Sequence, residues 1–235
     1  MREEGIDYGA KLEGDLFADK GDESWETIVG LIYDAGAMRG RFDAAFAVAL
    51  AGDPAALAGM QAFFGSGVGR RITTLEIDAR RMLLDDGVEE AARVAFAKMQ
   101  DADDPRLAAL ELFVAANDLI ESNVMGALNA NLAFYQAMTA AGAFGTQMTE
   151  DQMLADVWSQ EDAVRTETAD WLYPYLALAY KPLSDADLAA YQAFSESPAG
   201  QKLNRALFQA FDAIFVAVSR DLGMAAARQM QGEDL

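Results

Sequence analysis

The sequence contains neither cysteine nor histidine among its 235 residues. Without cysteine there is no disulfide bond and no thiol nucleophile, and without histidine there is no serine-histidine-aspartate triad. The usual ligands of zinc and haem are missing for the same reason. An enzyme built from this chain would need carboxylates, lysine, tyrosine, serine or arginine, and we expect neither a metal nor a cofactor.

Basic residues are also scarce. Lysine and arginine number 18 against 38 aspartates and glutamates, which leaves a net charge of −20. Because this charge repels phosphate groups, nucleic acid is not an expected partner, and anionic membrane surfaces are disfavoured. A solvated surface is the ordinary explanation of so much acid, and we prefer it to an acidic docking face.

Long apolar runs are absent as well. No stretch reaches the roughly 18 uninterrupted apolar residues that suggest a membrane span, and the N-terminal segment lacks the apolar core of a signal peptide. We therefore expect no transmembrane segment. The hydrophobic content of 52% is enough for a substantial core, in one domain or in two closely packed halves.

A pattern of helix, tight corner and helix occurs twice, at residues 57–72 and 188–203. Each position of the first stretch corresponds to the position 131 residues later. We therefore expect the two stretches to form the same local structure. The offset pairs Phe63 with Phe194, Ser66 with Ser197, and Gly69 with Gly200.

The residues at these corners are typical of helix boundaries. Ser197 is placed to cap the following helix with its hydroxyl, and Pro198 occupies the first helical position, which proline favours. A glycine in the first turn after each corner indicates that two helix axes cross closely, and a phenylalanine before each corner is expected to fill the space beneath it. The predicted structural corner motif consists of Phe63, Ser66, Gly69, Phe194, Ser197, Pro198 and Gly200.

Residues 65–71 allow another interpretation, a glycine-rich phosphate-binding loop followed by two arginines. Such loops follow a β-strand and direct backbone N–H groups from a helix start to an anion. No strand pattern precedes this segment, and its counterpart in the second stretch keeps a single glycine, Gly200. A packing role is therefore preferred.

The spacing of apolar residues along the chain predicts an all-α protein, a bundle of about eight helices in one compact unit. Residues 1–23 are acidic and contain several glycines, so they are expected to form an irregular N-terminal arm. Residues 24–148 are expected to form a first helical half with the central helix, and residues 149–235 a second helical half. Two pseudo-repeated three-helix halves, roughly 24–86 and 149–224, are expected to surround a central helical segment.

Three residues are expected to interrupt helices. A continuous helix over residues 107–141 would be about 50 Å long, so a bend near Gly126 is predicted. Pro174 should kink or split the long helix of the second half. Gly223 is placed as the stop or bend of the last helix, which starts at Pro198.

The central segment carries the candidate polar site. Its apolar residues are too dense for a surface helix, so the segment should be buried, and polar side chains within it need partners. Hydrogen bonds to neighbouring helices are the preferred explanation, and a small-molecule pocket or a carboxylate-centred active site around Glu121 is the alternative. The interior polar candidates are Asn117, Glu121, Asn123, Asn129 and Asn131.

The second corner resembles a known family. The run from Pro182 to Asp185, then Phe194 and the segment Ser197 to Leu203, is similar to the signature of the bacterial domain-of-unknown-function family 2059, an aromatic residue and then S-P-x-G-x-K between two helices. The resemblance covers about residues 182–222, although Ser195 stands where the family usually has tyrosine, and the first corner lacks the proline. It implies an all-helical protein with no established activity, exported to the periplasm behind a signal peptide that is then removed.

These observations favour a non-enzymatic, exported helical protein that binds a protein or small-molecule partner. The alternative is an enzyme or a small-molecule-binding protein with an interior polar site around Glu121. An enzyme predicts a solvent-connected pocket that contains Glu121 and another ionisable group, whereas a binding protein predicts a filled interior and an apolar patch or groove outside. A third hypothesis is self-association through the aromatic residues near Trp158 and Trp171.

Overall fold

A computed structural model of the protein describes residues 1–17, 23–143 and 149–232. This part of the chain is α-helical and has no β-strand, which confirms the all-α prediction. Its helices are more numerous than the eight or so expected. They are α1 (Arg2–Phe17), α2 (Glu23–Ile32), α3 (Ala35–Leu50), α4 (Pro54–Phe64), α5 (Gly67–Met82), α6 (Asp86–Asp101), α7 (Arg106–Ala116), α8 (Leu119–Ala140), α9 (Glu150–Ser159), α10 (Glu161–Tyr180), α11 (Asp185–Glu196) and α12 (Pro198–Gln231).

The chain divides into two compact units. Unit 1 comprises Met1–Val48, Met125–Asp162 and Phe208–Leu235, and unit 2 comprises Ala49–Val124 and Ala163–Leu207. The boundaries lie within α3, α8, α10 and α12, so segments distant in sequence assemble each unit. We expected one compact unit made of two halves that meet at residue 148. The structure instead has two units, and neither is limited to one side of that residue. None of the helices in the three described ranges combines the length and apolar character needed to cross a lipid bilayer.

The core of unit 1 surrounds Trp25, which is completely buried. Its indole N–H donates a hydrogen bond to the carbonyl oxygen of Gly9 at 3.0 Å, and the ring of Phe17 meets it edge to face, with centroids 5.1 Å apart. Apolar residues of α12 at helical spacing complete this core, namely Ile214, Val218, Leu222, Ala225 and Ala226.

Residues 2–17 form α1, so the prediction of an irregular arm is wrong for this range, and residues 18–22 lie outside the described part. Gly5 and Gly9 lie one turn apart and are both buried. A Cβ atom at Gly5 would enter the ring of Tyr33, and one at Gly9 would lie 2.5 Å from Cγ1 of Val29. The two glycines therefore let a mostly polar helix pack closely on α2, and this packing stabilises it.

The last helix does not end at Gly223. Helix α12 continues through this residue to Gln231. A Cβ atom at Gly223 would lie 2.5 Å from the carbonyl oxygen of Phe134 and 3.0 Å from Cβ of Ala137, both on α8. Glycine is needed here because α8 and α12 approach closely within unit 1, not because a helix stops.

The core of unit 2 is formed by α5, α7, α10 and α11. Its buried apolar residues include Ile72 of α5, Phe113 of α7 and Leu176 of α10. The rings of Tyr180 and Tyr191 pack against Phe113, with centroids 5.4 and 4.8 Å away. Two tyrosines therefore reach into this core, and their hydroxyl groups need partners there.

Both corners lie in unit 2 and have the same backbone conformation. Ser66 (φ −73°, ψ 168°) and Ser197 (φ −70°, ψ 158°) are extended residues between helices. The Ser66 hydroxyl accepts a hydrogen bond from the N–H of Gly69 at 3.0 Å, and the Ser197 hydroxyl accepts one from the N–H of Gly200 at 3.1 Å. The predicted serine caps are confirmed, and Pro198 is the first residue of α12.

The corner glycines are as crowded as predicted. A Cβ atom at Gly69 would lie 2.7 Å from Cα of Phe64, and one at Gly200 would lie 2.8 Å from Cα of Ser195. The phenylalanines before the two serines stack on each other, with ring centroids 4.2 Å apart and planes inclined by 9°. Phe63 and Phe194 thus fill one shared space, so the two corners pack against each other.

The central segment is interrupted at residues 117–118 and not near Gly126. Asp118 has a φ of 51°, a left-handed conformation that ends α7, and α8 starts at the next residue and runs through Gly126. In the second half, Pro174 lies inside α10, and the break falls at Gln160 between α9 and α10. Local turn geometry at polar residues, not the glycine or the proline, sets these breaks.

Candidate functional site

Three of the five predicted polar residues lie in unit 2 without forming a common site. Asn117 is buried, with 6% exposure. Its Nδ2 donates to the carbonyl oxygen of Phe113 at 2.9 Å, and its own carbonyl oxygen accepts from Nδ2 of Asn204 at 2.6 Å. Asn117 therefore closes the end of α7, which is a structural role. Asn123 is exposed and its Nδ2 donates to the carbonyl oxygen of Leu119 at 2.7 Å.

Glu121 lies on the surface, with 53% of its side chain exposed. The guanidinium of Arg165 binds both of its carboxylate oxygens, with Nη2 at 2.9 Å from Oε2. These hydrogen bonds hold the pKa of the Glu121 carboxyl below its usual value. The prediction of an interior site around Glu121 is therefore wrong, because the charged pair faces solvent.

The remaining two candidates lie in unit 1. Asn129 is exposed and donates to Oδ1 of Asp212 at 3.0 Å. Asn131 is half-buried and donates to Oε1 of Gln160 at 2.9 Å. Asn129 thus links α8 to α12, and Asn131 links α8 to the turn between α9 and α10. Asn123, Asn129 and Glu121 were predicted to be interior and are not.

A half-buried ionisable cluster that the sequence pattern did not predict lies in unit 2. The Oε1 atom of Glu76 accepts hydrogen bonds from the hydroxyl groups of Tyr180 at 2.7 Å and Tyr191 at 3.1 Å. The hydroxyl of Tyr175 lies 3.5 Å from the carbonyl oxygen of Glu76. The signal was present in the sequence, because Glu76 interrupts the apolar spacing of α5 one turn from Ile72 and from Ala79.

Burial controls the electrostatics of this cluster. Burial raises the pKa of the Glu76 carboxyl, and the hydrogen bonds from the two tyrosines oppose that rise. Burial also raises the pKa of Tyr180 and Tyr191 well above the ordinary value, so both phenols are protonated donors at neutral pH. The cluster links α5 to α10 and α11, and its hydrogen bonds explain why a carboxylate is tolerated there.

A groove between α7 and α11, two helices that contact each other in unit 2, is the candidate binding surface. We call it the α7–α11 groove; its volume is about 260 Å³. Pro105, Arg106, Ala109 and Leu112 line one side, and Asp185, Leu188, Ala189 and Gln192 line the other. The Leu112 side chain is 62% exposed on the wall, and Leu188 is buried in the floor. The lining is mostly apolar, so a molecule bound in the groove would bury apolar surface of the protein.

Arg106 of the α7–α11 groove already has several partners. Its guanidinium donates to the carbonyl oxygens of Tyr180 and Lys181, both at 3.3 Å, and of Leu183 at 3.0 Å. A cation at this position stabilises the C-terminal end of α10, whose last carbonyl groups lack helical partners. Asp185, 3.9 Å from Nε of Arg106, remains largely exposed. Arg106 is therefore a structural cation of the groove.

Gln192 has an unmet hydrogen-bonding capacity. Its Nε2 donates to Oε1 of Glu196 at 2.7 Å and to the carbonyl oxygen of Leu112 at 3.3 Å. Its Oε1 is buried and accepts no hydrogen bond from the part of the chain that the structure describes. Buried polar atoms are rarely left without a partner, so this acceptor distinguishes the groove from the satisfied Glu76 cluster.

The aromatic residues considered for self-association lie in different units. Trp158, in unit 1, is 49% exposed. Trp171, in unit 2, stacks on Tyr175 and lies 4.6 Å below the guanidinium carbon of Arg80. In the three described ranges, no three acidic side chains come together as a metal site.

Comparisons of the chain with protein-family models, with curated proteins and with solved structures found no match. The resemblance of residues 182–222 to the domain-of-unknown-function family 2059 therefore stays a prediction.

Proposed function

We propose that the protein is a non-enzymatic binding protein and that the α7–α11 groove is its interaction surface. The exposed Leu112 on the wall of an apolar groove carries this proposal. A partner that covers this side chain removes apolar surface from water, which is favourable. Arg106 is bonded to backbone carbonyls, so the groove offers apolar area rather than reactive groups.

The arrangement of ionisable groups favours binding over catalysis. An enzyme centred on Glu121 requires that carboxylate in a pocket, and Glu121 is instead paired with Arg165 on the surface. The Glu76 carboxylate accepts two tyrosine hydrogen bonds, which gives it a structural role in the core of unit 2.

The duplicated architecture of two three-helix halves belongs to the same proposal. It is supported by the two serine corners, which share backbone angles and cap hydrogen bonds. A periplasmic location and membership of the family named above are proposed with it, on the S-P-x-G-x-K segment alone.

A photocrosslinking amino acid placed at Leu112 tests the binding proposal in cells that produce the protein. We expect one discrete product with a partner, identified by mass spectrometry. The matched control is the same amino acid at Ile77, which is also exposed in unit 2 but lies outside the groove. Equal labelling at both positions, or no product at Leu112, would contradict the proposal.

A further inference from the structure

We infer that the partner segment of the α7–α11 groove is a basic amphipathic helix with one bulky apolar side chain as its anchor. This inference rests on the proposed function and adds the chemistry of the partner. Two helices that pack side by side leave a groove of the kind that receives the apolar face of a third helix. A volume of about 260 Å³ accommodates one large side chain.

Carboxylates stand at both ends of the apolar stretch of α11. Asp185, in the first turn, lines the groove, and Glu196, in the last turn, is bonded to the groove residue Gln192. Leu188 and Ala189 lie between them on the same face. At 1.5 Å per residue the two acidic residues are about 16 Å apart along the helix axis. A partner helix would reach both with basic residues about three turns apart, and its anchor between them would enter the groove.

Arg106, a cation in the groove lining, does not cancel these charges. The Arg106 side chain is 26% exposed and its guanidinium is directed to the backbone at the end of α10, whereas Asp185 is 94% exposed. The net charge of −20 adds a long-range field that attracts a cationic segment and opposes association of two copies of this chain.

The unpaired acceptor on Gln192 points to the same chemistry. A partner that carries lysine or arginine supplies N–H donors, the kind of group that Oε1 of Gln192 lacks among the described residues. A partner with only acceptors would leave this oxygen unsatisfied.

Fluorescence anisotropy with three labelled helical peptides and the full chain tests the inference. The first peptide has lysines near both ends and a central tryptophan, the second has glutamates for the lysines, and the third has alanine for the tryptophan. We expect the first to bind at least about tenfold more tightly than either of the others, with an affinity that falls as salt rises.

Variants of the protein locate the binding. Leu112→Asp should weaken binding of the first peptide by about tenfold or more, because it removes apolar burial at the wall. Asp185→Asn and Glu196→Gln should each weaken it roughly two- to fivefold, as expected for exposed ion pairs. Glu90→Gln, an exposed residue of α6 outside the groove, removes the same charge and should have no comparable effect.

The outcomes separate the inference from the proposed function. If the glutamate peptide binds as tightly as the lysine peptide and Leu112→Asp abolishes both, the groove binds apolar segments of any charge, and only the inference fails. If the lysine peptide binds equally well to Leu112→Asp, the contact is nonspecific attraction to an acidic surface, and the inference also fails. If no peptide binds and crosslinking at Leu112 gives no product, both fail.

Discussion

A methyl group added at Gly200 should destabilise the protein in a way that the corner geometry specifies. The Cβ atom of alanine would lie 2.8 Å from both the carbonyl carbon of Phe194 and Cα of Ser195, whereas ordinary contacts of a Cβ atom are 3.4–4 Å. These obstacles are backbone atoms, so a side-chain rotation cannot relieve the overlap. The helices α11 and α12 must move apart, which also disturbs the stacking of Phe194 on Phe63.

The size of the effect follows from two opposing contributions. Overpacking costs typically 1–3 kcal/mol, and we take about 3 because the obstacle is backbone. Replacement of glycine by alanine inside a helix stabilises the helix by about 1 kcal/mol, which offsets part of this cost. The free energy of unfolding should therefore fall by about 2 kcal/mol, which for a chain of this length lowers the Tm by roughly 4–8 °C.

Thermal and urea unfolding followed by far-ultraviolet circular dichroism measure this change. Gly69→Ala should have the same effect, since its Cβ would meet the first corner in the same way. Gly67→Ala is the control, because no heavy atom lies within 4 Å of its added Cβ, and it should be as stable as the wild type or more stable by up to about 1 kcal/mol. A Gly200→Ala variant as stable as Gly67→Ala would refute the reasoning about the crowded corner.

Three further predictions concern the buried contacts. Tyr180→Phe removes a hydrogen bond to the half-buried Glu76 and should lower the free energy of unfolding by about 1.5–3 kcal/mol in urea titrations. Tyr175→Phe, whose hydroxyl makes only a 3.5 Å contact, should lose less, and equal losses would argue against the cluster. The pKa of Glu76 is higher in the folded than in the unfolded state, so protonation of Glu76 favours the folded state. This contribution to stability is fully present below the unfolded pKa and is lost as the pH rises through the folded pKa. The wild type should therefore gain more stability than Glu76→Gln as the pH falls from neutral towards 4.5, the ordinary value, and parallel stability curves would show that Glu76 is not perturbed. Gly223→Ala should cost about 1–3 kcal/mol through overpacking against Phe134 of α8, and a neutral result in the same thermal assay would mean that the helices separate freely.

The corners could be predicted from sequence because their determinants are local. A serine cap bonds to a backbone N–H three residues away, and proline and glycine act through the geometry of their own residue and its neighbours. Ser66 and Ser197 therefore show the expected caps, at distances of 3.0 and 3.1 Å. That the two phenylalanines fill one space depended on contacts between segments 131 residues apart, which no local pattern contains.

Helix α1 shows the opposite case. Its residues are acidic and include glycines, which disfavour an isolated helix. Gly5 and Gly9 stabilise it only because Val29 of α2 and Tyr33, which directly follows α2, pack against the flat surface that they leave. The same dependence on a partner helix explains Gly223, which packs on α8 and does not end α12.

The candidate site was the least predictable feature. The density of apolar residues in the central segment indicated burial but not which side of each helix faces the core, so Glu121 and Asn129 were placed inside and lie outside. The Glu76 cluster was not predicted, although Glu76 lies within the apolar spacing of α5, because its two tyrosine partners follow more than 100 residues later in the chain.

The sequence by itself determined the helical class, the excess of negative charge, the absence of cysteine and histidine chemistry and the two capped corners, since each depends on composition or on residues close in the chain. Only the tertiary structure decided the two units, the glycine contacts of α1 and α12, the Glu76 cluster and the α7–α11 groove. Those features arise where segments distant in sequence meet, and the free energy of such contacts depends on shape and burial that a linear pattern does not record.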